Sequence, residues 1–126
     1  MKQPRMEDAA HLAALRRLPC VCCGETRGIE AAHIRLTSTE WAQRVGIRTG
    51  AGGGEKPADC WALPMCADHH RIGPEAEHKI GTKEFWRRRQ RDPHAIAWAL
   101  YEASPDRERM TSIVFQALYM GLGRAA

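Results

Sequence analysis

The sequence contains no apolar run approaching the ~20 residues that a helix needs to cross a bilayer, which excludes a helical membrane protein. It opens Met1-Lys2-Gln3-Pro4-Arg5 and runs on through an acidic and then a basic segment. The apolar stretch and small-residue cleavage site of a secretory signal are missing, so a cytoplasmic address is expected. No internal repeat recurs, which sets aside repeat arrays, and the only biased tract is a glycine-rich loop. In a reducing compartment the five cysteines read as metal ligands or buried apolar residues rather than as a disulfide framework.

What is present fits one domain. A chain of 126 residues is too short for two ordinary domains, and a core of this size gains from a metal staple. With 44% hydrophobic and 27% charged residues it reads as globular rather than disordered. The net charge of +4 permits a polyanionic partner without identifying one.

Residues 6–17 are rich in alanine and leucine and predict a helix ended by Pro19. Residues 28–34 read as a strand, with Ile29, Ala31 and His33 on one face and Glu30, Ala32 and Ile34 on the other. Ser38 is the expected cap of a short helix to Val45, followed by a flexible loop from Arg48 to Gly54. Trp61 to Met65 reads as the second strand of a hairpin, its Pro64 indicating an edge. Further helices are expected behind Thr82, behind Asp92-Pro93 and behind Ser104-Pro105, the last carrying an apolar stripe of Met110, Ile113, Val114, Ala117 and Leu118.

The chemistry is concentrated in cysteine and histidine. Cys20 and Cys23 form a C-x-x-C-G with Gly24, a spacing that lets two sulfurs face one ion while the glycine permits the turn. Cys66-Ala67-Asp68-His69 supplies a second half-site at the same spacing, giving three cysteines and one histidine, a set suited to structural Zn²⁺. Cys20 and Cys22 would be an alternative clip through a tighter turn. Cys60 reads as a buried small apolar residue, and His11 and His94 as ordinary helix histidines. His33, His70 and His78 are left over, and His70 directly follows a zinc-ligand candidate, so two metal environments can sit back to back.

The order C-x-x-C-G, Ile29-Glu30-Ala31-Ala32-His33-Ile34 and Leu63-Pro64-Met65-Cys66-x-x-His69-His70-Arg71 resembles the HNH endonuclease superfamily. More narrowly, Gly54-Glu55-Lys56-Pro57-Ala58-Asp59, residues 66–71 and residues 81–86 look like phage recombination-enhancement (Ref-like) HNH nucleases. The resemblance spans about residues 18–100 and implies an α+β fold. Its elements are a small ββα-metal (His-Me finger) core with a structural zinc knuckle, flanking helices at both ends and a C-terminal helix at about residues 105–120.

The resemblance further implies DNA phosphodiester hydrolysis, in phage or bacterial recombination or processing, with DNA and a recombinase filament as partners. His33 would be the general base, since a neutral imidazole of ordinary pKa ~6.5 can take a proton at neutral pH. His70 and His78 would hold a catalytic divalent ion (Mg²⁺, Mn²⁺ or Zn²⁺) that stabilises charge on the phosphate. Two departures stand out. Ala32 occupies a position where relatives often place an acidic or histidine ligand, and the chain has no asparagine at all. Asp59 is the candidate for the missing middle residue, as a metal ligand or as a hydrogen-bonding support.

Arg87, Arg88, Arg89 and Arg91, expected on one helix with Phe85 and Trp86, are candidates for phosphate contacts, joined by Arg35 and Arg71. Lys56 and Lys79 flank the same site. The rival reading is a non-catalytic zinc module for nucleic acid or protein, which needs neither His33 nor His78. A thiol redox protein requires a thioredoxin-like βαβ pattern around the C-x-x-C, and none is found.

Overall fold

A computed structural model describes residues 5–50 and 55–125. The opening Met1-to-Pro4 and the tip of the predicted glycine loop, including Gly54 of the Gly54-to-Asp59 motif, lie outside the described residues. The chain is a small α+β domain in which helices surround one antiparallel strand pair. β1 (Ile29–His33) pairs with β2 (Ala62–Cys66) in the register Ile29 to Cys66 and His33 to Ala62. All of β2 is buried, whereas β1 buries chiefly Ala32. Pro64 sits in β2 opposite Ala31 without breaking the pair, because a two-stranded sheet leaves each strand an edge.

The helices are α1 (Ala9–Leu15), α2 (Thr39–Val45), α3 (Glu77–Ile80), α4 (Thr82–Arg89), α5 (Pro93–Ala103) and α6 (Arg107–Tyr119), with a π-type turn at Asp68–Ile72 directly after β2. The core gathers Leu15, Leu18, Ile34, Leu63, Met65, Ile96, Leu100, Met110 and Val114 around a fully buried Trp61. Its indole donates to the Arg48 carbonyl at 3.0 Å and its rings meet those of Trp41, His94 and Trp98 edge-on or tilted. α1 packs on both strands and α5 on β2 and α6, and β2 runs at its Cys66 end into the π turn. None of the described helices is long and apolar enough to cross a membrane.

Two expected caps differ. Thr82 is the first residue of α4 rather than its cap, which is Gly81. α6 starts behind Asp106, whose carboxylate accepts from the Arg109 N–H, and Ser104 instead turns its hydroxyl to His11 Nδ1 at 2.8 Å. Ser38 and Asp92 cap α2 and α5 as the sequence predicts, Asp92 with Pro93 in the first turn. The apolar stripe of α6 enters the core through Met110, Val114 and Ala117.

Candidate metal centre and active site

The segment before β1 makes a tight turn. Gly24 N–H donates to the Cys20 carbonyl at 2.8 Å, Cys20 N–H to the Glu25 carbonyl at 2.8 Å, and Val21 N–H to the Pro64 carbonyl of β2 at 2.9 Å. Gly24 has φ +81°, which a residue with a Cβ adopts only with strain. The turn is therefore pinned to β2, and Cys66 at the end of that strand meets it. Ligand atoms of Cys20, Cys23, Cys66 and His69 lie within 4.8 Å of one another. Cys23 Sγ stands 3.8 Å from Cys66 Sγ, and Cys66 Sγ stands 3.1 Å from His69 Nδ1. Two sulfurs at ~2.3 Å from a tetrahedral ion are about 3.8 Å apart, so the donor set fits Zn²⁺. Cys22 stays outside this set, and its backbone N–H donates to Cys20 Sγ at 3.3 Å.

The three thiols of this set differ in protonation. A hydrogen bond from the Cys22 thiol and several backbone contacts outweigh burial and pull Cys20 down to about 4. Burial pushes Cys23 up, and pushes Cys66 to about 12. Without a cation the pocket supports one thiolate and opposes the others; a divalent ion ionises all of them.

A second cluster lies beside the first. An ordinary helix would carry His70 and His78 about 12 Å apart along its axis. Here the chain reverses after the π turn: Gly73 N–H donates to the Asp68 carbonyl at 2.9 Å, and a Cβ on Gly73 would stand 2.7 Å from that oxygen. The rings of His70 and His78 meet edge-on with centroids 4.4 Å apart. Ligand atoms of His70, Glu77 and His78 again fall within 4.8 Å of one another.

His70 Nδ1 contacts Glu30 Oε1 at 2.7 Å, and Arg71 clamps the same carboxylate. The Arg71 guanidinium, with His70, holds Glu30 below the usual carboxylate range despite burial, so Glu30 is an acceptor and His70 Nδ1 carries the proton. His70 Nε2 is then free for an ion, the arrangement typical of metal-bound histidine. Partial desolvation, with the nearby charges of His70 and Arg35, holds the exposed His78 below the ordinary imidazole range. Glu77 and Glu30 were not among the residues singled out from sequence. Glu77 borders His78, but nothing in the local pattern distinguishes it from a surface carboxylate.

His33 and Asp59 also come together, Nε2 to Oδ1 at 2.8 Å. Asp59, 4% exposed, accepts in addition from Arg5 NH1 at 2.9 Å and from the Asp8 backbone N–H at 2.8 Å. Burial raises its carboxyl, but these hydrogen bonds bring it below the usual range. An ionised Asp59 only accepts, so His33 Nε2 carries the proton and Nδ1 is the basic nitrogen. Asp59 thus supports an imidazole and is not part of either metal-type cluster. Nor does His33 join His70 and His78: it pairs with Ala62, four register positions from Cys66.

The basic helix differs from its expected form. α4 ends at Arg89, because Gln90 turns left-handed at φ 54°, and Arg91 lies beyond it, donating to the Ala117 carbonyl at 3.1 Å. Arg87 and Arg88 are both taken by Glu84, at 2.7 and 2.8 Å, and Arg89 stacks its guanidinium 4.5 Å over the Phe85 ring. Arg35 is exposed and makes no hydrogen bond or ion pair among the described residues. Phe85, Trp86 and Cys60 are buried. No protein-family model, curated protein or solved structure matches this chain.

Proposed function

We propose that this protein is a metal-dependent endonuclease with a ββα-metal core of the HNH kind, hydrolysing phosphodiester bonds in DNA. The observation that carries the reading is the close approach of His70 and His78, eight residues apart in sequence, with His70 oriented by Glu30 so that one ring nitrogen is left for an ion. A zinc knuckle beside it serves as scaffold. An ion held by His70 and His78 would supply Lewis-acid stabilisation of the phosphate and of the leaving oxygen.

The chain's own groups have separate tasks. Asp59 holds His33 through Nε2, leaving Nδ1 to take a proton from the attacking water. β1 links the two halves: Glu30 at its start touches His70, and Arg35, just past its end, lies near enough to His78 and Glu77 to influence both. His33 closes the same strand and projects from the face opposite Glu30. Arg35 provides an unpaired guanidinium for a substrate phosphate, whereas Arg71 orients Glu30. DNA is the substrate of this proposal, and recombination or processing of phage or bacterial DNA is its setting, with a recombinase filament as the candidate partner.

The test is nicking of supercoiled plasmid by purified protein in Mg²⁺, Mn²⁺ and Zn²⁺, run beside His33→Ala. Wild type nicks in at least one ion, and the variant loses roughly 10²–10⁴-fold in rate while keeping its zinc. A wild-type protein that binds zinc and cuts nothing in any ion is the non-catalytic zinc module instead.

A further inference from the structure

We propose that the Glu77 carboxylate is the third protein ligand of the second centre, and that the resulting pair of imidazoles and one carboxylate selects a transition ion such as Mn²⁺, Co²⁺ or Zn²⁺ over Mg²⁺. The inference rests on the reading of His70 and His78 as ligands and adds to it a donor, an ion class and a reporter.

Three observations lead to Glu77. Its carboxylate belongs to the same 4.8 Å group as the two imidazoles. It is 3% exposed, on a four-residue helix at the surface, where a carboxylate without a further role would turn to water. Its described hydrogen bond comes from the Trp86 indole, Nε1 to Oε2 at 3.0 Å, and it makes no ion pair with lysine or arginine among the described residues. An indole donor fixes one oxygen without neutralising the charge. A buried carboxylate whose described hydrogen bond comes only from an indole, with Arg35 near but not bonded to it, gains from a divalent ion within reach of the same oxygens.

The placement also answers the departure at position 32. Ala32 cannot ligate, and its buried side chain packs in the core. Glu77 is brought to the two imidazoles by the reversal at Gly73. Two imidazoles with one carboxylate make a donor set for borderline ions, while Mg²⁺ prefers an oxygen shell and retains its waters. Trp86 connects the site to an optical signal, because an ion drawn to Glu77 changes the field on the indole.

The experiment is a Co²⁺ titration of protein with its knuckle already filled by zinc, followed by visible absorption and by metal analysis. One Co²⁺ should bind per chain with d–d bands and without the strong near-ultraviolet band of sulfur ligation, and Mg²⁺ in excess should not displace it. E77Q should weaken Co²⁺ binding by about 100-fold, the upper range for disturbing a metal's supporting groups, with knuckle zinc retained at one per chain. W86F, which removes the indole but not the carboxylate, should weaken it by no more than about tenfold and should abolish most of the Co²⁺-induced fluorescence change.

Equal Co²⁺ affinity and spectrum in E77Q and wild type would overturn the proposal. Should E77Q fail to fold, a crystal of wild-type protein soaked in Mn²⁺ decides: an ion about 2.1 Å from a Glu77 oxygen supports it, and an ion on the imidazoles with Glu77 out of reach overturns it. Co²⁺ binding at these residues in a protein that cuts no DNA ends the nuclease reading and leaves the ligand assignment standing. DNA cleavage with unaltered ion binding in E77Q does the reverse.

Discussion

The Cys20–Cys23–Cys66–His69 site and the His70–Glu77–His78 site are neighbours joined through consecutive histidines, yet their donors and surroundings differ. The first is sulfur-rich, with Cys20 fully buried and Cys66 nearly so, and it joins the turn before β1 to the end of β2. The second is made of nitrogen and oxygen, carries an exposed His78, and uses a segment that only doubles back on itself. A closed tetrahedral set stabilises a fold, whereas a set of three donors leaves coordination positions for water or phosphate. Removing each site in turn tests whether the first serves stability and the second the proposed chemistry.

The largest effect is expected from Cys66→Ser set beside His78→Ala. Structural zinc contributes on the order of 10–16 kcal/mol of apparent binding free energy, comparable to the whole stability of a domain. Cys66→Ser should therefore lose cooperative thermal unfolding by circular dichroism, while His78→Ala melts within a few degrees of wild type. Similar melting curves for the two variants would erase the distinction between the sites. A smaller loss is expected from Glu30→Gln, which frees His70 to rotate: affinity for the second ion should fall about 10–100-fold by calorimetry, with knuckle zinc unaltered. If both metals were lost together, the sites would be one energetic unit.

DNA contact gives a finer test. Arg35→Ala should reduce the slope of binding affinity against salt by about one counterion, measured by fluorescence anisotropy on a short duplex. Arg87→Ala should change the slope less, because Glu84 already holds that guanidinium. Equal losses would show that the Glu84 pairs open freely for DNA.

The smallest effect concerns the histidines outside both clusters. Burial lowers the His11 imidazole below its ordinary pKa, against the opposing pull of Asp8 and Asp59, and it acts on His94 in the same direction. A group whose folded pKa is depressed supports folding in full above its unfolded value near 6.5, and that support is lost as pH falls below it. Wild-type stability should decline as pH falls below about 6.5, and His11→Gln should show a shallower decline when urea unfolding is followed with zinc present. Parallel slopes would remove His11 as a source of acid sensitivity.

Local features were legible wherever the chemistry is local. The C-x-x-C-G and C-x-x-H spacings carry their geometry over a few residues, and the period-two pattern of residues 28–34 places β1 within one residue of its bounds. Ser38 and Asp92 were legible as caps because each hydroxyl or carboxylate serves the backbone immediately after it. Ser104 misled because its hydroxyl has a distant partner in His11. The Glu84 pairs with Arg87 and Arg88 were readable in principle from i,i+3 and i,i+4 spacing, a signal that the run of arginines obscured. Glu30 and Glu77 were not readable, since their roles depend on a strand and a reversed helix meeting at His70.

By itself the sequence determined the donor types, the two ligand half-sites, the hairpin strands and most helix positions, because these follow from propensity, capping and spacing over one or two turns of chain. Tertiary structure alone decided that Asp59 serves His33 rather than an ion, that Glu30 orients His70, that Glu77 lies against two imidazoles and that most of the arginines are already engaged. Each of those depends on burial and on charges brought together across tens of residues, where hydrogen-bond partners are set by packing and not by spacing.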